Sequence, residues 1–123
     1  LRRAIGGFVI MSSDLDDMYT AFLNNQLPPI WRKVSFETLK TLGSWVKDNL
    51  FRIDFMRSWL LGGLPTSFAL PVFFFPQGFM TGTLQTYARK HMVAIDTLEY
   101  EYEVLKLDGD PEAAPEDGVI CSG

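Results

Sequence analysis

The side chains best able to do chemistry are few and far apart in this sequence. His91 is the single histidine and Cys121 the single cysteine, whereas a zinc site normally draws about three or four such ligands. We therefore predict that His91 ends a helix, where its ring meets the negative end of the helix dipole. Cys121 has no neighbouring base, so we predict an ordinary strand residue rather than a nucleophile.

Two further patterns resemble functional motifs without completing them. Glu99, Glu101 and Glu103 alternate along one predicted strand, and carboxylates spaced in this way normally form a solvated face rather than an acid–base pair. The stretch GFMTGT (78–83) lacks the Lys-Ser/Thr ending of a phosphate-binding loop. Its Gly-x-x-x-Gly spacing permits close helix approach. We therefore predict no catalytic, cofactor-binding or metal site within this sequence.

Composition and charge narrow the class of protein. With 47% hydrophobic and 14% aromatic residues, the 123-residue protein has enough apolar side chains for a core, which excludes extensive disorder. Nine acidic residues against one lysine fall within 96–117, the overall net charge is −4, and no basic cluster exceeds two residues. A nucleic-acid binder is therefore excluded. A single cysteine allows no internal disulfide and fits a reducing compartment.

The most distinctive stretch is residues 58–88, which carry no charge between Arg57 and Arg89. Three prolines, Pro65, Pro71 and Pro76, interrupt it and argue against a membrane-spanning helix. We predict a buried, irregular aromatic segment that continues into a helix over 77–90. The competing hypothesis is a membrane-associating or partner-binding module that inserts this segment into lipid, and liposome flotation would distinguish the two.

Helical spacing precedes this segment. Ser12 or Ser13 is predicted to cap a helix that Asn24-Asn25 and the following prolines end. Ser35 is predicted to cap the longest helix, which Gly62-Gly63 end. That helix is predicted to carry a wide apolar face of two rows, Leu39, Leu42, Val46, Leu50, Ile53, Met56 and Leu60 in one and Trp45, Phe55 and Trp59 in the other. The run 8–11 fits either a strand or the end of a helix.

After Ile95 the apolar period changes to two. Leu98, Tyr100, Tyr102 and Val104 alternate with acidic residues, which predicts a half-buried strand. An acidic Pro/Gly loop follows over 108–118, and 119–121 is predicted to open the next strand. The predicted fold is α+β, mainly α with a short C-terminal β element. About 1–92 form the helical part and about 93–123 the start of the β part.

Four phrases carry a resemblance to a known family. They are LNNQLPPIW (23–31), LKTLGSWVKDNLFRIDFMRSW (39–59), FFFPQGFMTGTLQTYARK (73–90) and AIDTLEYEYEV (94–104). In this order they resemble the C-terminal domain of dynein heavy chains. Leu70-Pro71-Val72 and Thr83 resemble axonemal more than cytoplasmic members.

The resemblance implies a non-catalytic structural or coupling module that packs on the AAA+ ring of the same heavy chain. In that family the parent is an ATP-driven, minus-end-directed microtubule motor, with ATP and magnesium bound by the ring and other dynein subunits as further partners. It also implies a cytoplasmic, cytoskeletal location in a cilium or flagellum axoneme, with no nucleic-acid or membrane partner. Leu1 and the apolar end at 119–121 suggest a single partial domain, a fragment cut where the family's β-barrel part begins.

No catalytic residue is transferred by the resemblance, because the family places none in these motifs. What it implies is a set of core or ring-contact positions, drawn from the tryptophans and from the phenylalanine-rich phrase. These are Trp31, Trp45, Trp59, Phe73, Phe74, Phe75, Pro76, Gln77 and Gly78.

Overall fold

The computed structural model describes residues 1–36, 38–106, 109 and 111–123. Its helices and strands are α1 (Arg2–Ile5), α2 (Ser13–Leu23), α3 (Pro29–Arg32), α4 (Leu42–Gly62), β1 (Phe68–Ala69), α5 (Pro76–His91) and β2 (Cys121–Ser122), with 3₁₀ turns at Leu70–Val72 and Ile95–Thr97. The prediction of a mainly helical fold with a short β element is confirmed. The polypeptide forms two compact units, Leu1–Phe51 and Arg52–Gly123.

In the first unit, α2 forms where its capping signals predict it. The Ser12 hydroxyl accepts a hydrogen bond from the Leu15 amide at 3.4 Å, which satisfies one of the free amides of the first turn. Asp14 and Asp16 lie in that turn, where their charges meet the positive end of the helix dipole. The run 8–11 lies in neither a helix nor a strand.

The start of α4 is set by Asn25, not by Ser35, so the predicted cap is wrong. The Asn25 carbonyl accepts from the Leu42 amide at 3.0 Å, and its side-chain Oδ1 accepts from the Gly43 amide at 3.3 Å. Asn25 reaches them because it has a left-handed φ of 51° just after α2. A residue 18 positions upstream thus fixes the first turn, and no local pattern reveals such a cap.

The predicted apolar face of α4 is only partly correct. Leu39 lies outside the helix and is fully exposed, and the other members of its row retain exposed surface. The second row packs instead: Trp45 contacts the ring of Trp31 with centroids 5.8 Å apart, and Trp31 in turn meets Phe22 at 5.4 Å. Tryptophan rings, rather than the aliphatic row, thus supply these packing contacts of the first unit.

In the second unit, α4 ends at Gly62, as predicted, and Gly63 follows with a φ of 86°. Such a left-handed residue favours glycine and ends many helices.

The predicted helix over 77–90 is also confirmed. Pro76 occupies the first turn of α5, where its missing amide costs nothing, and Met92 ends the helix with a φ of 53°.

The small sheet joins two parts of the second unit that are distant in sequence. β1 and β2 run parallel, with Phe68 opposite Cys121 and Ala69 opposite Ser122, and the Phe68 amide donates to the Ile120 carbonyl at 2.8 Å. The prediction that Cys121 is a strand residue is confirmed. The predicted position of this strand, 119–121, is shifted by one to two residues.

The strand predicted over 98–104 is wrong. Residues 98–106 form no β-ladder among the described residues, because alternation makes a strand only where a neighbouring strand accepts its hydrogen bonds. Tyr102 and Val104 are 80% and 90% exposed. Asp108 and Asp110 of the predicted acidic loop lie outside the described residues.

Candidate interaction surface

The uncharged segment 58–88 divides into a packed half and an exposed half. The packed half is an aromatic cluster of Trp59, Phe68, Phe73 and Phe79. Phe73 stacks on Phe79 with ring centroids 4.5 Å apart, and Phe68 lies 4.8 Å from Phe79. Trp59 meets Phe68 edge-on at 5.3 Å. Each such pair contributes about 0.5–1.5 kcal/mol beyond the area it buries, so this cluster stabilises the second unit.

The exposed half consists of large apolar side chains next to that cluster in sequence. Phe74 and Phe75, which directly follow the buried Val72 and the packed Phe73, are each 66% exposed. Leu60, Leu61 and Leu64 are exposed by 79–84%. Large apolar side chains are exposed in other segments as well, Ile10 and Val34 among them. What distinguishes this segment as a candidate surface is that it carries no charge between Arg57 and Arg89. We call Phe74 and Phe75 the aromatic tip.

Phe74 is held from one side by an arginine. The Arg52 guanidinium carbon lies 5.1 Å from the centroid of the Phe74 ring, within the range of about 6 Å for a cation–π contact. The same guanidinium donates from Nη2 to the Pro71 carbonyl at 2.6 Å. Arg52 therefore links the turn Leu70–Val72 to α4 and also holds the Phe74 ring in place.

The Phe75 ring occupies the space that a side chain at position 78 would fill. A Cβ built on Gly78 would lie 2.4 Å from Phe75 Cδ1 and 2.9 Å from Cε1, closer than nonbonded carbons approach. The ring therefore lies directly against the backbone of the first turn of α5. Pro76 and Gln77, between them, begin that helix.

The middle of α5 is fixed to the segment that follows it. The Tyr100 hydroxyl lies within hydrogen-bond distance of both the Met80 carbonyl and the Thr83 hydroxyl. The Thr83 hydroxyl also lies 2.7 Å from the Met80 carbonyl, so the two hydroxyl protons serve two of these three contacts at a time. These part-buried contacts hold Tyr100 against α5, although residues 98–106 form no β-ladder among the described residues.

The C-terminal end of α5 is fixed by charge. Lys90 donates to Asp117 Oδ1 at 2.7 Å and to the Glu116 carbonyl at 3.2 Å. His91 Nε2 lies 3.0 Å from the same Asp117 oxygen, so the prediction that His91 ends a helix is confirmed. The hydrogen bond from Lys90, followed by that from His91, holds the pKa of Asp117 below its usual value.

The other candidates for chemistry remain isolated. Cys121 is exposed as a residue, yet partial burial raises the pKa of its thiol, which lowers its reactivity at neutral pH. Within the described residues, His, Cys, Asp and Glu side chains do not gather in a group able to hold a metal ion. Among those same residues, the helices are too short or too polar to cross a membrane.

The structure separates the nine positions that sequence reasoning grouped together. Trp31 and Trp45 pack in the first unit, and Trp59 and Phe73 in the aromatic cluster of the second. The other five follow Phe73 directly and comprise the exposed tip and the first turn of α5: Phe74, Phe75, Pro76, Gln77 and Gly78. Sequence reasoning missed Arg52 and Phe68 as their partners, whereas the helical spacing of 77–90 had predicted Phe79 on the apolar side of α5.

Comparison with known proteins decides the family. The family model for the C-terminal domain of the dynein heavy chain matches residues 1–123. The protein belongs to this family of dynein C-terminal domains. This dynein domain is 42% identical to human dynein axonemal heavy chain 6 and 44% identical to human dynein axonemal heavy chain 12, over 100% of its own length in both cases. It is 45% identical to mouse dynein axonemal heavy chain 1 over 93% of its length.

The resemblance drawn from the four phrases is thereby confirmed, and the relatives agree with its axonemal character. The dynein domain spans only 3–4% of the length of these relatives. The activity of a whole heavy chain can therefore only be proposed for this protein.

Proposed function

We propose that this dynein domain is a non-catalytic structural and coupling module, which packs on the AAA+ ring of its own heavy chain. The observation that carries the proposal is the match of the family model to residues 1–123. Two aromatic clusters supply rigid cores, while the aromatic tip and the exposed leucines supply apolar surface for a large partner.

The parent heavy chain is proposed to be an axonemal, ATP-driven motor that moves toward microtubule minus ends. The support is the axonemal heavy chains among the relatives. ATP and magnesium would then be bound by the ring, and microtubules and other dynein subunits would be partners of the parent rather than of this domain. The location that follows is the axoneme of a cilium or flagellum.

We also propose that residues 93–123 open the β part of the domain. Tyr100 and Tyr102 alternate with glutamates in a stretch whose backbone makes no ladder within the described residues. Such a segment accepts a neighbouring strand by backbone hydrogen bonds. A further strand from the same heavy chain is the natural partner, and pairing would remove an edge prone to aggregation.

The proposed packing is tested by comparing this domain alone with a longer polypeptide that includes the preceding AAA+ module. Apolar surface covered by the module contributes about 25 cal/mol per Å², so the longer polypeptide should be markedly more soluble, and its C-terminal domain should melt at a higher temperature. Hydrogen exchange read separately for each part distinguishes the domain from the module. Equal stability and equal exchange of the domain in both polypeptides would contradict the proposal.

A further inference from the structure

We propose that the aromatic tip, Phe74 and Phe75, is the anchor by which this domain contacts the AAA+ ring, and that Arg52 and Gly78 set its orientation. The inference rests on the proposed function and makes it specific. It divides the Phe73-Phe74-Phe75 triplet by role, because Phe73 stacks on Phe79 while its two neighbours are largely exposed to solvent.

The tip combines exposure with rigidity. An exposed phenylalanine normally samples several rotamers, and fixing it on binding costs side-chain entropy. Here Phe74 is fixed beneath the Arg52 guanidinium, which also donates to the Pro71 carbonyl. Phe75 is fixed against the bare backbone of Gly78. Aromatic anchors seated in well-packed pockets carry much of the binding energy of many interfaces, and preorganisation lowers the entropy cost of seating them.

The aromatic tip also lies between two elements that are themselves packed. The turn Leu70–Val72 and the first turn of α5 flank it, and Val72, only 1% exposed, anchors the turn in the core. Since the tip itself carries no charge, its complement is an apolar pocket rather than a basic or acidic surface.

The occupant we assign is the rest of the same heavy chain. In the curated relatives, the matched stretch makes up 3–4% of the polypeptide. A surface on the tethered remainder is therefore present at a far higher effective concentration than any separate protein. Within that remainder we assign the complementary apolar surface to the AAA+ ring, because the proposed function places this domain there.

Site-specific photo-cross-linking in the full heavy chain tests the inference. A benzophenone amino acid replaces Phe74, Phe75 or, as an exposed control on α5, Gln85, and the cross-linked peptides are identified by mass spectrometry. The expected result is abundant cross-links from positions 74 and 75 to one AAA+ module, with few from position 85. Cross-links to the ring from position 85 but not from the tip would overturn the inference and leave the proposed function standing. No cross-link to the ring from any of the three positions would also overturn the inference, while the hydrogen-exchange comparison decides the proposed function separately.

Two variants test the roles assigned to Arg52 and Gly78, because each should lower the cross-link yield from only one of the two tip positions. A general loss of folding would lower both yields. Arg52→Met keeps the aliphatic stem and removes the guanidinium, so the cross-link yield from position 74 should fall several-fold while that from position 75 is kept. Gly78→Ala should give the reverse pattern. An equal fall at both positions in both variants would show general unfolding and overturn the assigned roles of Arg52 and Gly78. Phe73→Ala serves as the folding control, since its loss should reduce both yields.

Discussion

The Phe75 ring lies so close to the Gly78 backbone that a Cβ at position 78 would be 2.4 Å from Phe75 Cδ1. This contact joins the exposed tip to the first turn of α5. It also explains in physical terms why glycine, a poor helix former, stands inside that turn. Phe75 is the N-cap residue of α5, and its carbonyl accepts from the Gly78 amide at 3.1 Å, which brings the two residues together.

Two glycines of α5 should respond in opposite ways to alanine. Gly82→Ala places a methyl group where no neighbouring atom lies within 4 Å in the described structure, so the variant should gain up to about 1 kcal/mol in unfolding free energy from helix propensity. Gly78→Ala should gain less or lose stability, because the Phe75 ring must leave its place. Urea unfolding followed by circular dichroism measures both. An equal gain for the two variants would show that the Phe75 contact is not maintained.

Asn25 should stabilise the start of α4 from a distance. Asn25→Ala removes the acceptor for the Gly43 amide and strains a residue with a φ of 51°, so we expect a loss of about 1–2 kcal/mol. Asn25→Asp keeps both the acceptor and the tolerance of this backbone conformation, so it should unfold at nearly the wild-type urea concentration. If the aspartate variant lost as much as the alanine variant, the capping bond would be unimportant.

Those two contacts show what sequence alone reveals about this fold. The helices α2 and α5 were predictable because Ser12 and Pro76 signal their own helix starts within a few residues. The start of α4 was not, since its cap comes from Asn25, and the Ser35 signal led to the wrong boundary. The β1–β2 pairing was missed for the same reason, because Phe68 and Cys121 meet only in the folded protein.

The candidate surface was predictable as a segment but not residue by residue. Absence of charge over 58–88 identified the region, and the resemblance identified the phrase around Phe73. Nothing in a run of three phenylalanines tells which ring stacks in a core and which faces solvent. That depends on Phe79 and Arg52, whose positions are fixed by packing and by the turn at Leu70–Val72.

Tyr100 and Thr83 should be energetically coupled, since their hydroxyls meet each other and the Met80 carbonyl. Tyr100→Phe and Thr83→Val should each cost about 0.5–1.5 kcal/mol of unfolding free energy. The double variant should cost less than the sum of the two, because either change already breaks the shared bond. Urea unfolding of the four proteins gives the coupling energy. Strict additivity would contradict the hydrogen-bonded arrangement.

Asp117 should make stability depend on pH in acid. Lys90 and then His91 stabilise its carboxylate, so its pKa in the folded protein lies below the ordinary value of 3.8. The stabilisation is therefore present above about pH 3.8 and is lost as the pH falls through the lower folded value. Asp117→Asn should remove this component and unfold more easily at neutral pH, with the difference from wild type shrinking in acid.

The matched control for that prediction is Glu116→Gln. Lys90 contacts the Glu116 backbone carbonyl, which this substitution retains, so the urea midpoint and its pH dependence should stay close to wild type. Urea titrations from about pH 7 to about pH 2 supply the measurement, because the stabilisation is lost only below the ordinary value of 3.8. A difference between wild type and Asp117→Asn that stayed constant across this range would contradict the assignment.

An electron cryo-microscopy map of the intact heavy chain, detailed enough to place aromatic side chains, is the decisive measurement. This domain should lie on the AAA+ ring with Phe74 and Phe75 inserted in an apolar pocket of the ring. Phe73 should remain stacked on Phe79 within the domain. A map in which the domain stands away from the ring, with both tip residues in solvent, would contradict the role of the tip as an anchor.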